Sequence, residues 1–176
     1  MYKDELFIVY FCYKKYSLKM NKEMVVEGQK APDFKELNQN GQEISLSQFR
    51  GKKVILYFYP KDNTPGCTAE SCNLSDNYKY WLEKGYEVIG VSPDSVASHK
   101  KFEEKFGFAF NLIADTEKQI LQAYGVWGEK LNYGKVYMGV IRTTFVISED
   151  GIIEKVIGKV DTKNHTTQIQ QLIGLK

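Results

Sequence analysis

The apolar positions of this chain change period several times, and each change marks an element. Lys53 to Tyr59, KVILYFY, is β-branched and aromatic with almost no polar break, the pattern of a strand buried on both faces. YEVIGVS at 86 to 92 repeats it, and NLIAD from Asn111 is a shorter version. Between these runs the apolar residues recur at three-to-four spacing. Residues 67 to about 84 are predicted helical on Leu74, Tyr78, Trp81 and Leu82, with Gly85 as the stop. Ser95 to Phe106 forms a second amphipathic helix, with Val96, Phe102 and Phe106 inward and Gly107 ending it. Lys118 to Tyr124 is a short helix before Gly125, and Thr162 to Leu172 closes the chain as another. TTFVIS and IIEKVIG alternate on either side of Asp150-Gly151, which predicts a hairpin. Ahead of all these, QNGQEISLSQF predicts a turn at Asn40-Gly41 and a short strand.

Strands alternating with helices, finished by an antiparallel hairpin and a helix, imply an α/β mixed sheet covered on both faces. A thioredoxin-like layering satisfies that order. A doubly wound nucleotide-binding sheet is the competitor, but no G-x-G-x-x-G or P-loop follows any strand. Residues 24–176 carry no repeat, low-complexity tract or linker, so they read as one domain. Residues 1–23 stand apart. Their apolar run, Leu6 to Tyr13, is too short for a membrane span of about 20 residues. Acids precede it and no small-residue cleavage site follows, so it makes a poor secretory signal. The segment reads as a dispensable extension, either an extra strand or a frayed tail, with Cys12 a passenger.

At 176 residues the chain can bury a full core. Its 24 basic and 22 acidic side chains include five lysines and three acids in residues 1–23, which leaves 19 of each sign in the body. A neutral body supplies no electrostatic reason to bind nucleic acid or an anionic membrane. Three unevenly spaced cysteines do not form a disulfide scaffold, and they point to a reducing, cytoplasmic setting where a cysteine pair is chemical.

Two of those cysteines lie in PKDNTPGCTAESC, residues 60 to 72, between a buried strand and a helix. Thr64-Pro65 suits a cap followed by a first helical position, with the threonine hydroxyl accepting a backbone N–H. Cys67 then falls in the first turn, among unpaired N–H groups at the positive end of the helix dipole. An ordinary cysteine, with a pKa near 8.5, is only about 3% thiolate at pH 7. Lowering that value by about two units takes about 2.7 kcal/mol, and a helix terminus supplies only about 0.3–2 kcal/mol. A reactive thiolate here therefore calls for a cation as well. Cys72 follows five positions later. On an intact helix this separates the side chains by about 140° and the Cα atoms by about 8.7 Å. A disulfide needs Cα atoms within about 7 Å, so the two cannot join while the helix stays wound.

The stretch FYPKDNTPGCTAESC resembles the active-site signature of peroxiredoxins, Pro-x-x-x-Thr-x-x-Cys, filled by Pro60, Thr64 and Cys67. With Glu70 and Cys72 it is similar to the bacterioferritin comigratory protein branch, the thioredoxin-dependent thiol peroxidases. GQKAPDF near the start and YGVWGEKLNYGKVYMGVIRTTFVI at 124 to 147 extend the likeness. The resemblance implies that Cys67 attacks hydrogen peroxide or an organic hydroperoxide and becomes a sulfenic acid. It implies that Thr64 and the Cys67 N–H hold the peroxide oxygens, that Arg142 is the missing cation, and that Pro60 shields the sulfur. It further implies that Cys72 closes an intramolecular disulfide which thioredoxin or a similar dithiol reduces. It implies a monomer with no cofactor and no metal.

Other residues read more plainly. Glu70 fits a first-turn acid that favours the dipole and is left out of the catalytic set. His99 and His165 sit in polar helical stretches and read as solvated, and no cysteine is spaced to join them in a zinc site. Tyr124, Trp127 and Tyr133 read as core or loop packing. Two other functions fit a cysteine pair in such a fold: a copper-carrying module, disfavoured by the spacing of five and by Arg142, and a redox sensor without turnover.

Overall fold

The computed structural model describes residues 23–175. The expectations for residues 1–22, including the passenger role of Cys12, lie outside the described residues. Nine strands are described. β1 (Lys35–Leu37) and β2 (Glu43–Ser45) form a small antiparallel pair across the Asn40-Gly41 turn, and a 3-10 turn follows at Leu46–Phe49. β3 (Lys53–Phe58), β4 (Tyr86–Ser92) and β5 (Asn111–Ala114) run parallel. β8 (Thr143–Ile147) pairs antiparallel with β3, and β9 (Ile153–Ile157) antiparallel with β8. The sheet order is β5-β4-β3-β8-β9, with β3 at the centre as its uninterrupted apolar run requires.

Alternate residues of β3, with Tyr59 just after it, feed two cores. Val54, Leu56 and Phe58 join Phe34, Leu46, Leu121 and Tyr124 on one face. Ile55, Tyr57 and Tyr59 join Leu74, Trp81, Phe102 and Ile169 on the other. The second face is covered by α1 (Pro65–Asp76), α2 (Tyr78–Glu83), α3 (Val96–Phe106) and α5 (His165–Ile173), and the first by α4 (Gln119–Ala123) with the N-terminal chain. The helix expected over 67 to 84 is two helices, broken at Asn77, whose side-chain amide donates to the Asn73 carbonyl at 2.8 Å. That break turns Leu82 outward, against expectation, while Trp81 is fully buried. Ser95 caps α3 by accepting from the Ser98 N–H, and Gly107 ends it at a φ of 74°.

The sequence reading missed β1, the partner of the short strand it did predict, and a whole ribbon. β6 (Trp127–Asn132) and β7 (Lys135–Val140) form a separate antiparallel ribbon. Its turn is Tyr133-Gly134, with φ of 47° and 75°, both positive as a two-residue type I′ turn demands. Tyrosine is an uncommon first residue for that turn, so the usual Asn-Gly signal is missing. Among the described residues no helix is long and apolar enough to cross a membrane.

Candidate active site

The site arises where β3 ends and α1 begins. Thr143 pairs with Phe58 at the carboxyl end of β3, so the residue before it, Arg142, is delivered by register to the start of α1. There the Arg142 Nη2 donates to the Cys67 Sγ at 3.2 Å, and its Nη1 donates to the Glu70 Oε2. Cys67 is 1% exposed, and Glu70 is wholly buried. Gly66 lies against the guanidinium, where a Cβ would meet Nη2 at about contact distance, 3.4 Å. The first helical hydrogen bond of α1 runs from the Thr68 N–H to the Thr64 carbonyl at 2.8 Å. The Cys67 N–H precedes it and has no intrahelical partner. A buried sulfur at a helix start here accepts from a guanidinium, so a fixed positive charge lies beside it.

The sequence-derived residues thus divide. Cys67 and Arg142 meet directly. Thr64 stands at the N-cap position, but its hydroxyl does not cap; Oγ1 donates to the Lys61 carbonyl at 2.9 Å instead. Its proton is committed there, and its lone pairs remain for another donor. Pro60 is half-buried in the same loop. Cys72 is half-buried on the continuous helix, unbonded to Cys67. Burial pushes the Cys72 thiol above its ordinary value, and the charge of Asp76 adds to this.

Glu70 belongs to the site that sequence reading denied it. Its place three residues after Cys67 puts both on one helix face, which was the available signal. Burial pushes its carboxyl up to about 7, with Arg142 pulling the other way. Among the described residues its Oε1 has no hydrogen-bond partner, and it lies 3.8 Å from the Nε2 of His165.

Both histidines correct the expectation of solvated side chains, because each is fully buried. The His165 Nε2 lies 2.8 Å from the Thr144 Oγ1, and its Nδ1 lies 3.0 Å from the Gln168 Oε1. Burial holds His165 down at about 4, so it faces Glu70 as a neutral ring rather than as an ion-pair partner. The His99 Nδ1 lies 3.0 Å from the Asp62 Oδ2, and its Nε2 lies 3.1 Å from the Ile113 carbonyl. Asp62 also accepts from Tyr59 and Ser98, and it ties the loop ahead of α1 to α3. Of the three aromatic residues, Tyr124 is buried, Trp127 half-buried and Tyr133 almost wholly exposed.

Fold and site together define a thiol-redox protein of thioredoxin-like architecture. The profile of the AhpC/TSA family matches residues 27–156. Peroxiredoxin Bcp of Bacillus subtilis is 44% identical over 151 residues, covering 85% of this chain and 96% of that protein. Peroxiredoxin Q of Xanthomonas campestris superposes with a TM-score of 0.75 at 34% identity, over 80% of this chain and 89% of its own. A cysteine-to-serine mutant of Xylella fastidiosa PrxQ reaches a TM-score of 0.81 at 28% identity, over 86% and 97%. The chain belongs to the AhpC/TSA family, as a peroxiredoxin of the bacterioferritin comigratory protein branch, and is a peroxidase.

Proposed function

We propose that this chain reduces hydrogen peroxide and organic hydroperoxides through Cys67 and is recycled through Cys72. The observation that carries this reading is the 3.2 Å contact from the Arg142 guanidinium to the Cys67 sulfur. A related structure, the Xanthomonas campestris bacterioferritin comigratory protein, is described for alkyl peroxide reduction, at 33% identity and a TM-score of 0.75. The Cys67 thiolate attacks the nearer peroxide oxygen. The O–O bond breaks, the sulfur becomes a sulfenic acid, and the leaving oxygen takes a proton as water or alcohol. Arg142 and the Cys67 N–H donate to the oxygens as charge moves onto them. The Thr64 hydroxyl oxygen accepts a hydrogen bond from the peroxide O–H, and Pro60 keeps bulk water from the sulfur. The Cys72 thiol then condenses with the sulfenic acid, releasing water and forming a disulfide. A dithiol such as thioredoxin reduces that bridge and is itself oxidised.

The test is steady-state peroxide consumption with thioredoxin and its reductase, paired with mass spectrometry after one equivalent of peroxide. Cys67→Ser abolishes turnover. Cys72→Ser supports one reduction per chain and then stalls. Retained turnover in the first variant, or full steady-state activity in the second, overturns the assignment of the corresponding sulfur.

A further inference from the structure

The β6–β7 ribbon stands outside the main sheet as two strands only. Such a pair is marginal alone and gains stability from a covered apolar face. Residues paired in an antiparallel ladder share a face, and so do alternate residues along each strand. One face therefore carries Trp127, Leu131, Val136, Met138 and Val140, with Glu129 as its one charge. Leu131 is 73% exposed, Val136 64% and Met138 43%, so its outer part is uncovered among the described residues. The opposite face carries Gly128, Gly139, Lys130, Asn132 and Lys135, with Tyr137 its single large apolar side chain.

The chain's own entry into the fold lies at the root of this ribbon. The Val25 N–H donates to the Tyr124 carbonyl at 3.2 Å. Gly125 has a φ of 71°, and a Cβ on it would fall 2.4 Å from the Met24 Cα, so only glycine admits this approach. Two residues later β6 begins. Upstream, the sequence holds an uninterrupted apolar run, LFIVYFCY, and then nine residues before Glu23. Nine residues reach at most about 30 Å, while a six-residue strand is about 20 Å long. A tether of that length holds the run at an effective concentration in the millimolar range, ahead of any second copy at micromolar concentration. Lys14 and Lys15 directly follow the run, a match for the lone Glu129.

We propose that the apolar run Leu6 to Tyr13 packs within the same chain on the Leu131, Val136 and Met138 face of the ribbon. The N-terminal segment is then a structural cover for the element that leads into Arg142, rather than a dispensable tail.

The experiment uses the full chain with Cys67 and Cys72 replaced by serine, which leaves Cys12 to carry a nitroxide. In an isotope-labelled sample the signals of Leu131, Val136 and Met138 lose intensity several-fold and recover on reduction of the nitroxide, whereas Lys79, on α2, is unaffected. A second label position, Ser17→Cys with Cys12→Ser, gives the same pattern if a label within the run displaces it. Ile8→Asp abolishes the broadening and leaves the other signals in place. Absence of broadening from both positions overturns the proposal. So does broadening that survives when label and isotope are on different molecules, since a second copy then covers the face. Ribbon signals that move with added thioredoxin while both nitroxides stay silent assign the face to the reductant and likewise overturn it.

Discussion

Arg142 divides one planar guanidinium between a sulfur and a carboxylate, donating through separate nitrogens to Cys67 and Glu70. A lysine offers no such fork. Arg142→Gln should lower the second-order rate constant for peroxide by about 10²–10³-fold, the usual loss of a donor to developing charge. Stopped-flow measurement checks this, and a loss under about tenfold contradicts the role. Around that contact, two buried groups titrate in opposite senses. Glu70 moves from 4.5 to about 7, so between those values the folded chain holds a proton that the unfolded chain has released. Stability falls as pH rises through that window. His165 moves from 6.5 to about 4, so there the unfolded chain holds the extra proton. Stability from this ring is lost as pH falls from 6.5 towards 4. Each effect is on the order of 3 kcal/mol and they offset one another where they overlap. Urea denaturation across pH 4.5 to 6.5 should therefore show a rising slope with pH in Glu70→Gln and a falling one in His165→Asn. Unchanged slopes in both variants would sink this account.

At the scale of the element, α1 carries both Cys67 and Cys72 and is continuous through both sulfurs. Five positions on a wound helix separate the two thiols beyond disulfide reach. Under the proposed cycle, the first turns must open before Cys72 can meet Cys67. Oxidation should accelerate amide exchange from Gly66 to Cys72 and reduce the helical circular dichroism signal. A disulfide formed with both signals unchanged would rule out the opening. The break at Asn77 confines the change to twelve residues, Pro65 to Asp76, and Leu74 anchors them in the core. Leu74→Ala should cost about 2–5 kcal/mol in chemical denaturation, as a buried leucine cavity does. The periodicity of Leu74 and Trp81 was readable in the chain, but the break was not. It depends on a side-chain amide capturing a backbone carbonyl, which leaves no mark on the apolar spacing.

The whole molecule places the site by strand register, and the packing between that sheet and α1 is tight at Gly90. A Cβ on Gly90 would fall 2.8 Å from the Tyr57 ring and hydroxyl and 2.9 Å from the Leu112 Cδ2. Tyr57 cannot yield freely, because its buried hydroxyl bonds the Ser71 Oγ of α1 at 2.8 Å. Gly90→Ala should therefore destabilise the fold by about 1–3 kcal/mol and loosen α1, read by denaturation together with amide exchange. Equal stability would contradict the packing described. By itself the chain determined the five strands of its main sheet, its principal helices and the place of Cys67, because apolar period and turn chemistry are local properties written over a few residues. Arg142 was legible only through the family signature; its contact with the sulfur comes from a partner strand 75 positions away. Tertiary structure alone decided that Glu70 is a buried partner of that arginine and that His99 and His165 are core groups. It also decided that β6 and β7 form a ribbon at the chain's entry. Each of these depends on contacts between distant segments, and burial is a property of what the fold brings together, not of the residue or its neighbours in sequence.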